Sequence, residues 1–182
     1  MQIIPTALEG VRIIEPDVHE DSRGFFMEIY QRERYRKCGI DCAFVQDNLS
    51  CSVRGTLRGL HYQYPKTQAK LVQVLKGEVY DAVVDVRKGS KTFGRWTGVR
   101  LSGQNRRQLF LPEGFAHGFC VLSETALFKY TCSNVYAPEC EQALLWCDPD
   151  IGIAWPLGNP LLSEKDRHAP RLKDIPPERI PP

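Results

Sequence analysis

Four side chains that exchange protons lie on predicted apolar faces of short strands: His61, Lys70, His117 and Tyr130. Alternate side chains of a strand share one face, so His61 in "LRGLHYQ" is predicted to lie with Gln63 and opposite Arg58. A small β-barrel fills its interior with side chains or holds one small ligand. An imidazole, an ammonium and a phenol inside it would suit proton chemistry on such a ligand.

Each of these residues also has a structural explanation. A histidine in a strand is commonly a hydrogen-bonded core residue, and a strand tyrosine commonly packs with its hydroxyl satisfied at the rim. A lysine that points inward is rarer, because burying an ammonium without a partner is costly. Lys70 is therefore the strongest indication of a chemical site, and the residues alone leave both explanations open.

The elements that must position these residues are mainly strands. Short segments rich in β-branched and aromatic residues recur between turn signals, while helical periodicity is scarce. They include "VRIIEP", "GFFMEIY", "AFVQDNLS", "LRGLHYQ", "RQLFLP" and "LFKYTCSNVY". Many short strands with few helices predict an all-β antiparallel sandwich or barrel. At 182 residues, the chain is expected to form a single domain, residues 1–182.

Three further segments carry specific predictions. "KLVQVLKGEVYDAVVDV" is interpreted as a hairpin that turns at Lys76-Gly77, since Gly77 can adopt the positive φ of a tight turn. "YQRERYRKCG" favours a short helix with a solvated charged face over a phosphate-binding arm. Seven of the thirteen prolines lie from Pro156 onward, which predicts an extended Pro-rich C-terminal strap with one helical turn near "LSEKD".

The composition argues against several classes of function. A formal net charge of only +2 gives no support to nucleic-acid binding. The N-terminus lacks a signal-peptide pattern and no run of about 18 apolar residues occurs, so we expect a cytoplasmic protein without a membrane partner. The seven cysteines form no C-x-x-C pair, which indicates reduced, mostly structural thiols. A catalytic cysteine is the alternative, although none sits beside an obvious base.

Two motifs connect the sequence to a known superfamily. "PEGFAHGF" matches the second motif of the cupin barrels, P-x-G-x-x-H, and "LRGLHYQ" sits where their first motif, H-x-H followed by a glutamate, is expected. From "DSRGFF" through "VQDNLS", "RGTLRGLHYQ" and "KLVQVLKGEVYDAVVDVRKGSKTFG" to "LSEKDRHAP", nearly the whole chain resembles the dTDP-4-dehydrorhamnose 3,5-epimerases. The resemblance implies a cupin-type antiparallel β-barrel, or jelly roll, with a few short helices.

The cupin comparison also bears on metal binding. Gln63 stands where the second histidine of a metal clamp is expected, and Lys70 occupies roughly the region of the acidic ligand. A cation beside a divalent metal would be strongly repelled, and the donors that remain are too few. We therefore predict a site that uses no metal and no other cofactor.

The reaction implied by the resemblance inverts C3 and C5 of a 4-keto-6-deoxyhexose attached to dTDP, a step of rhamnose biosynthesis. Both carbons are α to the C4 ketone, so the chemistry needs a base, a proton donor on the opposite face and a positive group near the oxygen. The resemblance assigns the catalytic roles as follows: His61 is the base, Asp166 its hydrogen-bond partner, Tyr130 the acid and Lys70 the oxyanion stabiliser. Lys70 is also expected to help the Tyr130 phenol ionise.

Substrate-binding positions follow from the same resemblance. Arg23 and Arg58 match arginines near the diphosphate, where a guanidinium suits phosphate oxygens. The other expected contacts are Phe26, which would stack on the base, Glu28, Gln46, Asp47, Asn48, His117, Glu141 and Lys165. Alone, Arg23 and Lys165 would pass as ordinary surface charges. The family forms dimers in which an N-terminal strand crosses to the partner, and "GFFMEIY" fits that arrangement, so we expect a homodimer with strand exchange.

Three alternatives stay open. Some members of the family invert only C3, and such an enzyme would look almost the same in sequence. A second hypothesis is a metal-dependent cupin oxygenase or isomerase, which requires bound iron, manganese or zinc. A third is a sugar-nucleotide binding module without catalysis.

Overall fold

The structure is a computed structural model that describes residues 1–182, and most of its regular elements are strands. The strands are β1 (Gln2–Pro5), β2 (Arg12–Glu15), β3 (Val18–Asp21), β4 (Gly24–Met27), β5 (Gln46–Val53), β6 (Leu57–Gln63), β7 (Lys70–Lys76), β8 (Glu78–Asp85), β9 (Trp96–Ser102), β10 (Gln108–Leu111), β11 (Phe115–Val121), β12 (Thr125–Cys132) and β13 (Glu141–Ala143). The α-helices are α1 (Arg32–Lys37) and α2 (Glu164–Arg167), and single 3₁₀ turns cover Pro138–Cys140, Leu172–Asp174 and Pro177–Arg179. None of these helices is both long enough and apolar enough to span a lipid bilayer.

Two antiparallel sheets form the body of the protein. The first sheet has six strands in the order β1-β2-β10-β7-β12-β5, and the second has five in the order β13-β6-β11-β8-β9. Strands β3 and β4 pair only with each other and belong to neither large sheet. The antiparallel all-β architecture predicted from the sequence is confirmed.

The main core lies between the two large sheets. Val72 and Leu109 of the first sheet pack in one cluster with Val83 of the second. The rings of Phe119 and Phe128, one from each sheet, stack with centroids 4.0 Å apart. Each large apolar side chain buried in this way contributes about 1.5–3 kcal/mol to stability. The polar side chains on the same strands are therefore held by a packed interior.

The chain between β7 and β8 does not form the predicted hairpin. Strand β7 pairs with β10 and β12, whereas β8 pairs with β9 and β11, so the predicted pairing was wrong. Gly77 does have a positive φ, 84°, but it forms a corner where the chain crosses from one sheet to the other. A Cβ there would lie 2.1 Å from the carbonyl oxygen of Thr125. Two runs of alternating apolar residues separated by a glycine occur both in hairpins and in such corners, so the local pattern does not distinguish the two.

The C-terminal segment covers one face of the second sheet, as the predicted Pro-rich strap requires. Its apolar residues join the sheet in one buried cluster that includes Leu60, Tyr62, Leu172, Ile175 and Ile180. A bridge between Thr56 and Leu161 fastens the beginning of the segment. Helix α2 is the single helical turn predicted near "LSEKD", and the side chain of Ser163 accepts a hydrogen bond from the backbone N–H of Asp166 at its N-terminus.

The charged helix predicted in "YQRERYRKCG" is present as α1. The side chain of Gln31 accepts a hydrogen bond from the backbone N–H of Arg34 at 2.6 Å and so caps its first turn. Tyr35 is buried, and its hydroxyl donates to Oε1 of Gln108 at 2.6 Å. The helix therefore docks through one aromatic ring while its charges stay at the surface.

Candidate active site

A cleft with two lobes lies between the large sheets, and both lobes are lined by His61, Lys70 and Tyr130. The first lobe, about 490 Å³, is called the apolar lobe because its walls include Leu57, Phe119, Phe128, Leu161 and Leu162. The second, about 320 Å³, is called the amide lobe because its walls include Gln46, Asn48, Gln63 and Gln68. His61 comes from the second sheet, whereas Lys70 and Tyr130 come from the first. A ligand at the junction would therefore lie between an imidazole on one side and an ammonium and a phenol on the other.

His61 is held by a carboxylate from the C-terminal segment. Its Nε2 lies 2.5 Å from Oδ1 of Asp166, and the backbone N–H of Gly59 donates to Oδ2 at 3.5 Å. Burial acts to raise the pKa of Asp166, but the hydrogen bond and charge of His61, together with hydrogen bonds from Ser163 and Gly59, outweigh it, so that pKa lies below its ordinary value. An ionised Asp166 accepts the Nε2 proton, which leaves a lone pair on Nδ1 of His61. The implied hydrogen bond is present, and the catalytic role of the pair stays a prediction.

Strand β6 departs from strict alternation beside His61. Arg58 and His61 are three residues apart, but they face residues of β11 that are two apart, which defines a bulge. The bulge brings Arg58 to the cleft with His61, so the prediction that they lie on opposite faces was wrong. Gly59 permits the bulge, because its φ is 113° and a Cβ there would lie 2.6 Å from Cα of Gly118.

Tyr130 is a half-buried phenol on β12. Burial raises its pKa, and the cation that opposes this rise is Arg58. We expected Lys70 to be the cation that helps this phenol ionise. Arg58 takes this place because the bulge in β6 turns it toward the cleft. A phenol that stays protonated at neutral pH is suited to donate a proton.

Lys70 carries a buried charge without a direct partner. The residue is only 8% exposed and its ammonium forms no ion pair with any carboxylate. Burial lowers the pKa of Lys70, while Cys132, Asp81 and Glu141 act in the opposite direction. A cation in such a poorly solvated position stabilises a developing oxyanion more strongly than one in water.

A second histidine–aspartate pair lies beside the first. His117 is directly opposite His61 in the pairing of β11 with β6 and also lines the apolar lobe. Its Nε2 lies 2.8 Å from Oδ2 of Asp81, and its ring stacks on Phe128 at an interplanar angle of 24°. Asp81 was not among the residues predicted from the sequence.

Most of the predicted site residues come together in the cleft. The apolar lobe is lined by His61, Lys70, Tyr130, Asp166, Arg58, His117 and Lys165, and the amide lobe also by Gln46, Asn48 and Glu141. Lys165 and Glu141 form an ion pair of 2.5 Å that joins the two groups. Asp47 is not brought in, because its carboxylate is bound by Lys129 at 2.7 Å on the exposed side of the sheet.

Three predicted binding residues lie elsewhere in this chain. Arg23 is at the turn between β3 and β4, where it binds Asp21 at 2.6 Å and is almost fully exposed. Phe26 is 72% exposed, and with Glu28 it lines a separate surface hollow. The structure of one chain does not place these residues at the cleft.

Sequence reasoning missed several residues of the site. Tyr136 lines the amide lobe, and its hydroxyl donates to Oε2 of Glu141 at 2.9 Å. An exposed aromatic in the turn-rich segment "SNVYAP" was the available signal. Asp81 also had one, an acid within the apolar run "VYDAVVDV". Gln68 had none. Gln63 lines the cleft as predicted, but its side chain is engaged by the backbone of Lys66 and Ala137.

The fold and the site together define a cupin-type β-barrel enzyme whose cleft is equipped for acid–base chemistry. No group of three or more His, Cys, Asp or Glu side chains is placed to hold a metal ion. A family model described as dTDP-4-dehydrorhamnose 3,5-epimerase matches residues 5–174. The chain belongs to this family.

Individual relatives agree with the family assignment. The chain is 51% identical over 178 residues to a dTDP-4-dehydrorhamnose 3,5-epimerase of Methanothermobacter thermautotrophicus, with 96% of each chain covered. A crystal structure of dTDP-6-deoxy-D-glucose-3,5-epimerase from Legionella pneumophila, in complex with dTDP-4-keto-L-rhamnose, superposes with a TM-score of 0.97 at 52% identity and covers 99% of this chain and 97% of that one. A dTDP-4-dehydrorhamnose 3-epimerase of Streptomyces niveus is 43% identical over 171 residues, 93% of this chain and 83% of that protein. The cupin-type barrel predicted from the sequence is confirmed.

Proposed function

We propose that this protein inverts C3 and C5 of dTDP-4-keto-6-deoxy-D-glucose and so forms dTDP-4-keto-L-rhamnose for rhamnose biosynthesis. The observation that carries the proposal is the junction of the two lobes, where His61, Lys70 and Tyr130 line one cleft. Family membership and the ligand of the Legionella structure support the same reaction.

In this proposal His61 removes the proton from each carbon next to the ketone. Asp166 holds Nε2, so Nδ1 is the nitrogen with the free lone pair. Asp166 also stabilises the imidazolium that forms when the ring accepts a proton. The base is thus oriented by one carboxylate.

Lys70 stabilises the enolate that proton removal creates. Charge moves from the carbon onto the C4 oxygen, and a buried ammonium beside that oxygen lowers the energy of the intermediate. Because Lys70 has no carboxylate partner, its charge is available to the substrate.

Tyr130 returns a proton to the opposite face. It lies on the first sheet and His61 on the second, so a sugar ring between them meets the base and the acid from different sides. Inversion requires this arrangement, because one group acting alone would return the proton to the face it left.

The lobes suggest how the rest of the substrate binds. Arg58 and Lys165 place positive charge along the apolar lobe, which suits diphosphate oxygens next to the sugar. Gln46, Asn48 and Tyr136 give the amide lobe the donors, acceptors and aromatic surface that a nucleotide base needs. Strands of the barrel and the C-terminal segment packed on it both contribute to this cleft, which supports a single functional unit over residues 1–182.

A homodimer with exchanged strands is part of the proposal. Arg23, Phe26 and Glu28 are matched to substrate contacts but lie on or beside the β3–β4 arm, away from their own cleft. Phe25 and Phe26 are 55% and 72% exposed on this arm, which pairs with neither large sheet. Insertion of the arm into the cleft of a second copy would cover these rings and deliver the three residues to the substrate.

Inversion at C3 alone is the second candidate, favoured by the resemblance to the 3-epimerase of Streptomyces niveus. At each carbon that the enzyme deprotonates, the lost proton is replaced by one from solvent. Incubation of the ketosugar nucleotide with the protein in D₂O, followed by NMR, therefore counts the positions directly. Deuterium at C3 and C5 with the L-rhamno configuration supports the proposal, deuterium at C3 alone supports the second candidate, and no exchange contradicts both.

A metal-dependent cupin activity would predict a different result. Its turnover would follow the iron, manganese or zinc content of the preparation, measured by elemental analysis. Turnover in D₂O that is independent of metal content and of chelator supports the acid–base reaction.

A further inference from the structure

Asp81 is the most deeply buried acid beside the cleft that the proposed reaction does not use. It lies on β8 with no exposed surface, among the core residues Val79, Ala82 and Val83. Oδ2 is bound to Nε2 of His117, but Oδ1 is buried without any hydrogen-bond partner. A half-satisfied carboxylate costs stability, so packing alone does not explain this residue.

The surroundings of Asp81 connect it to two groups of the cleft. His117 on β11 is held by Asp81 on one edge and stacked on Phe128 on one face. Lys70 on β7 forms no ion pair, and Asp81 is one of the charges that favour its protonated form. Burial raises the pKa of Asp81, and the hydrogen bond and charge of His117 and the charge of Lys70 act against this rise.

We propose that Asp81 is a positioning residue of the epimerase site, which fixes the ring of His117 at the wall of the apolar lobe. This inference rests on the proposed function for its effect on turnover, but the fixing of His117 does not depend on it. Asp81 and Asp166 then serve parallel purposes, since each carboxylate holds one of two histidines that are opposite each other on β6 and β11.

Asp81→Asn separates this role from a packing role. The isosteric amide fills the same space, and its effect on the charged groups has a defined sign. Loss of the carboxylate removes a charge that favours the Lys70 ammonium, so the pKa of Lys70 falls further below its ordinary value. The protonated form is then lost at lower pH, and the alkaline limb of the kcat profile moves to lower pH. Cys132 and Glu141, the other groups that act on Lys70, are unchanged.

We expect Asp81→Asn to lower kcat/KM about 10- to 100-fold, the loss typical when a residue that orients a functional side chain is removed. Because Asp81 carries a pKa raised by burial, its removal should leave the melting temperature unchanged or higher. Asp85→Asn is the matched control, since Asp85 is equally buried on the same strand but binds Arg87, Ser90 and Thr92 outside the cleft. It should lower stability and leave the pH profile in place.

A spectroscopic readout tests the inference without any turnover. In ¹⁵N-histidine NMR spectra of the full-length protein, the ring of His117 should show an Nε2-bound proton that changes its signal in Asp81→Asn and not in Asp85→Asn. Absence of that change overturns the proposal, whereas an alkaline limb that moves in Asp81→Asn and not in Asp85→Asn supports it. If the wild-type protein turns over no ketosugar, the proposed function fails while the His117 signal still decides the position of Asp81.

Discussion

Nε2 of His61 lies 2.5 Å from Oδ1 of Asp166, although 105 residues separate them in the chain. We expect Asp166→Asn to keep the fold and to lower kcat by about 10²–10⁴-fold, because an amide neither sets the same tautomer nor stabilises the imidazolium. His61→Asn should abolish deuterium exchange at both carbons. Exchange that persists in His61→Asn at the wild-type rate would show that another group is the base.

Lys70→Met tests the buried ammonium. Turnover should fall by about 10²–10³-fold because the enolate loses its preorganised positive charge. The melting temperature should hold or rise, since an apolar chain of similar length replaces a buried charge without an ion pair. A large loss of stability together with near-normal turnover would reverse this assignment.

Tyr130→Phe separates proton removal from inversion. The base remains in place, so exchange with D₂O should continue, but delivery of a proton to the opposite face should be impaired. NMR of the products then shows deuterated starting sugar with little inverted sugar. Equal loss of exchange and inversion would mean that Tyr130 acts before the enolate forms.

Asp85 should make folding sensitive to acid. Burial acts to raise its pKa, but hydrogen bonds from Arg87, Ser90 and Thr92 outweigh this and lower it from 3.8 to about 2. Such a lowered pKa adds stability, about 2 kcal/mol, that is present above pH 4 and is lost as the pH falls toward 2. In denaturant melts, the free energy of unfolding of Asp85→Asn should be lower than that of wild type at pH 7. The two values should converge near pH 2. A constant difference across that range would contradict the assignment.

The exchanged arm predicts complementation between two defective chains. Arg23→Ala should weaken substrate binding and His61→Asn should remove the base, so each homodimer is impaired. In a hybrid dimer, the cleft with intact His61 receives Arg23 from the other chain and is whole. Co-expression should therefore restore activity well above the sum of the two homodimers. Light scattering that finds only monomer at micromolar concentration would remove the basis of this prediction.

The sequence predicted the elements better than their partners. Alternation of apolar residues is a local property, so strands such as β6 and β12 and the turn of α2 were found where expected. The corner at Gly77 was mistaken for a hairpin, because pairing depends on residues far along the chain. The cytoplasmic location and the dimer stay predictions.

Site residues, too, were predicted where the pattern is local and missed where it depends on distant parts of the chain. His61, Lys70 and Tyr130 were recognisable as proton-exchanging residues on apolar faces, and the structure places all three at one cleft. Arg58 was assigned to the wrong face, because a bulge opposite Gly118 breaks the alternation on which the assignment relied. Asp81 was overlooked since its partner, His117, lies on the neighbouring strand and 36 residues away.

The carboxylate that orients His61 belongs to the C-terminal segment rather than to the barrel. That segment is attached by a side-chain cluster, the Thr56–Leu161 bridge and isolated backbone hydrogen bonds such as those that Pro170 and Pro181 accept, which are lost more easily than a continuous ladder of paired strands. On warming, the C-terminal segment should detach while both sheets remain intact. Amide hydrogen exchange should therefore become faster in this segment before it does so in the sheets. The enzyme would then lose activity well below its melting temperature.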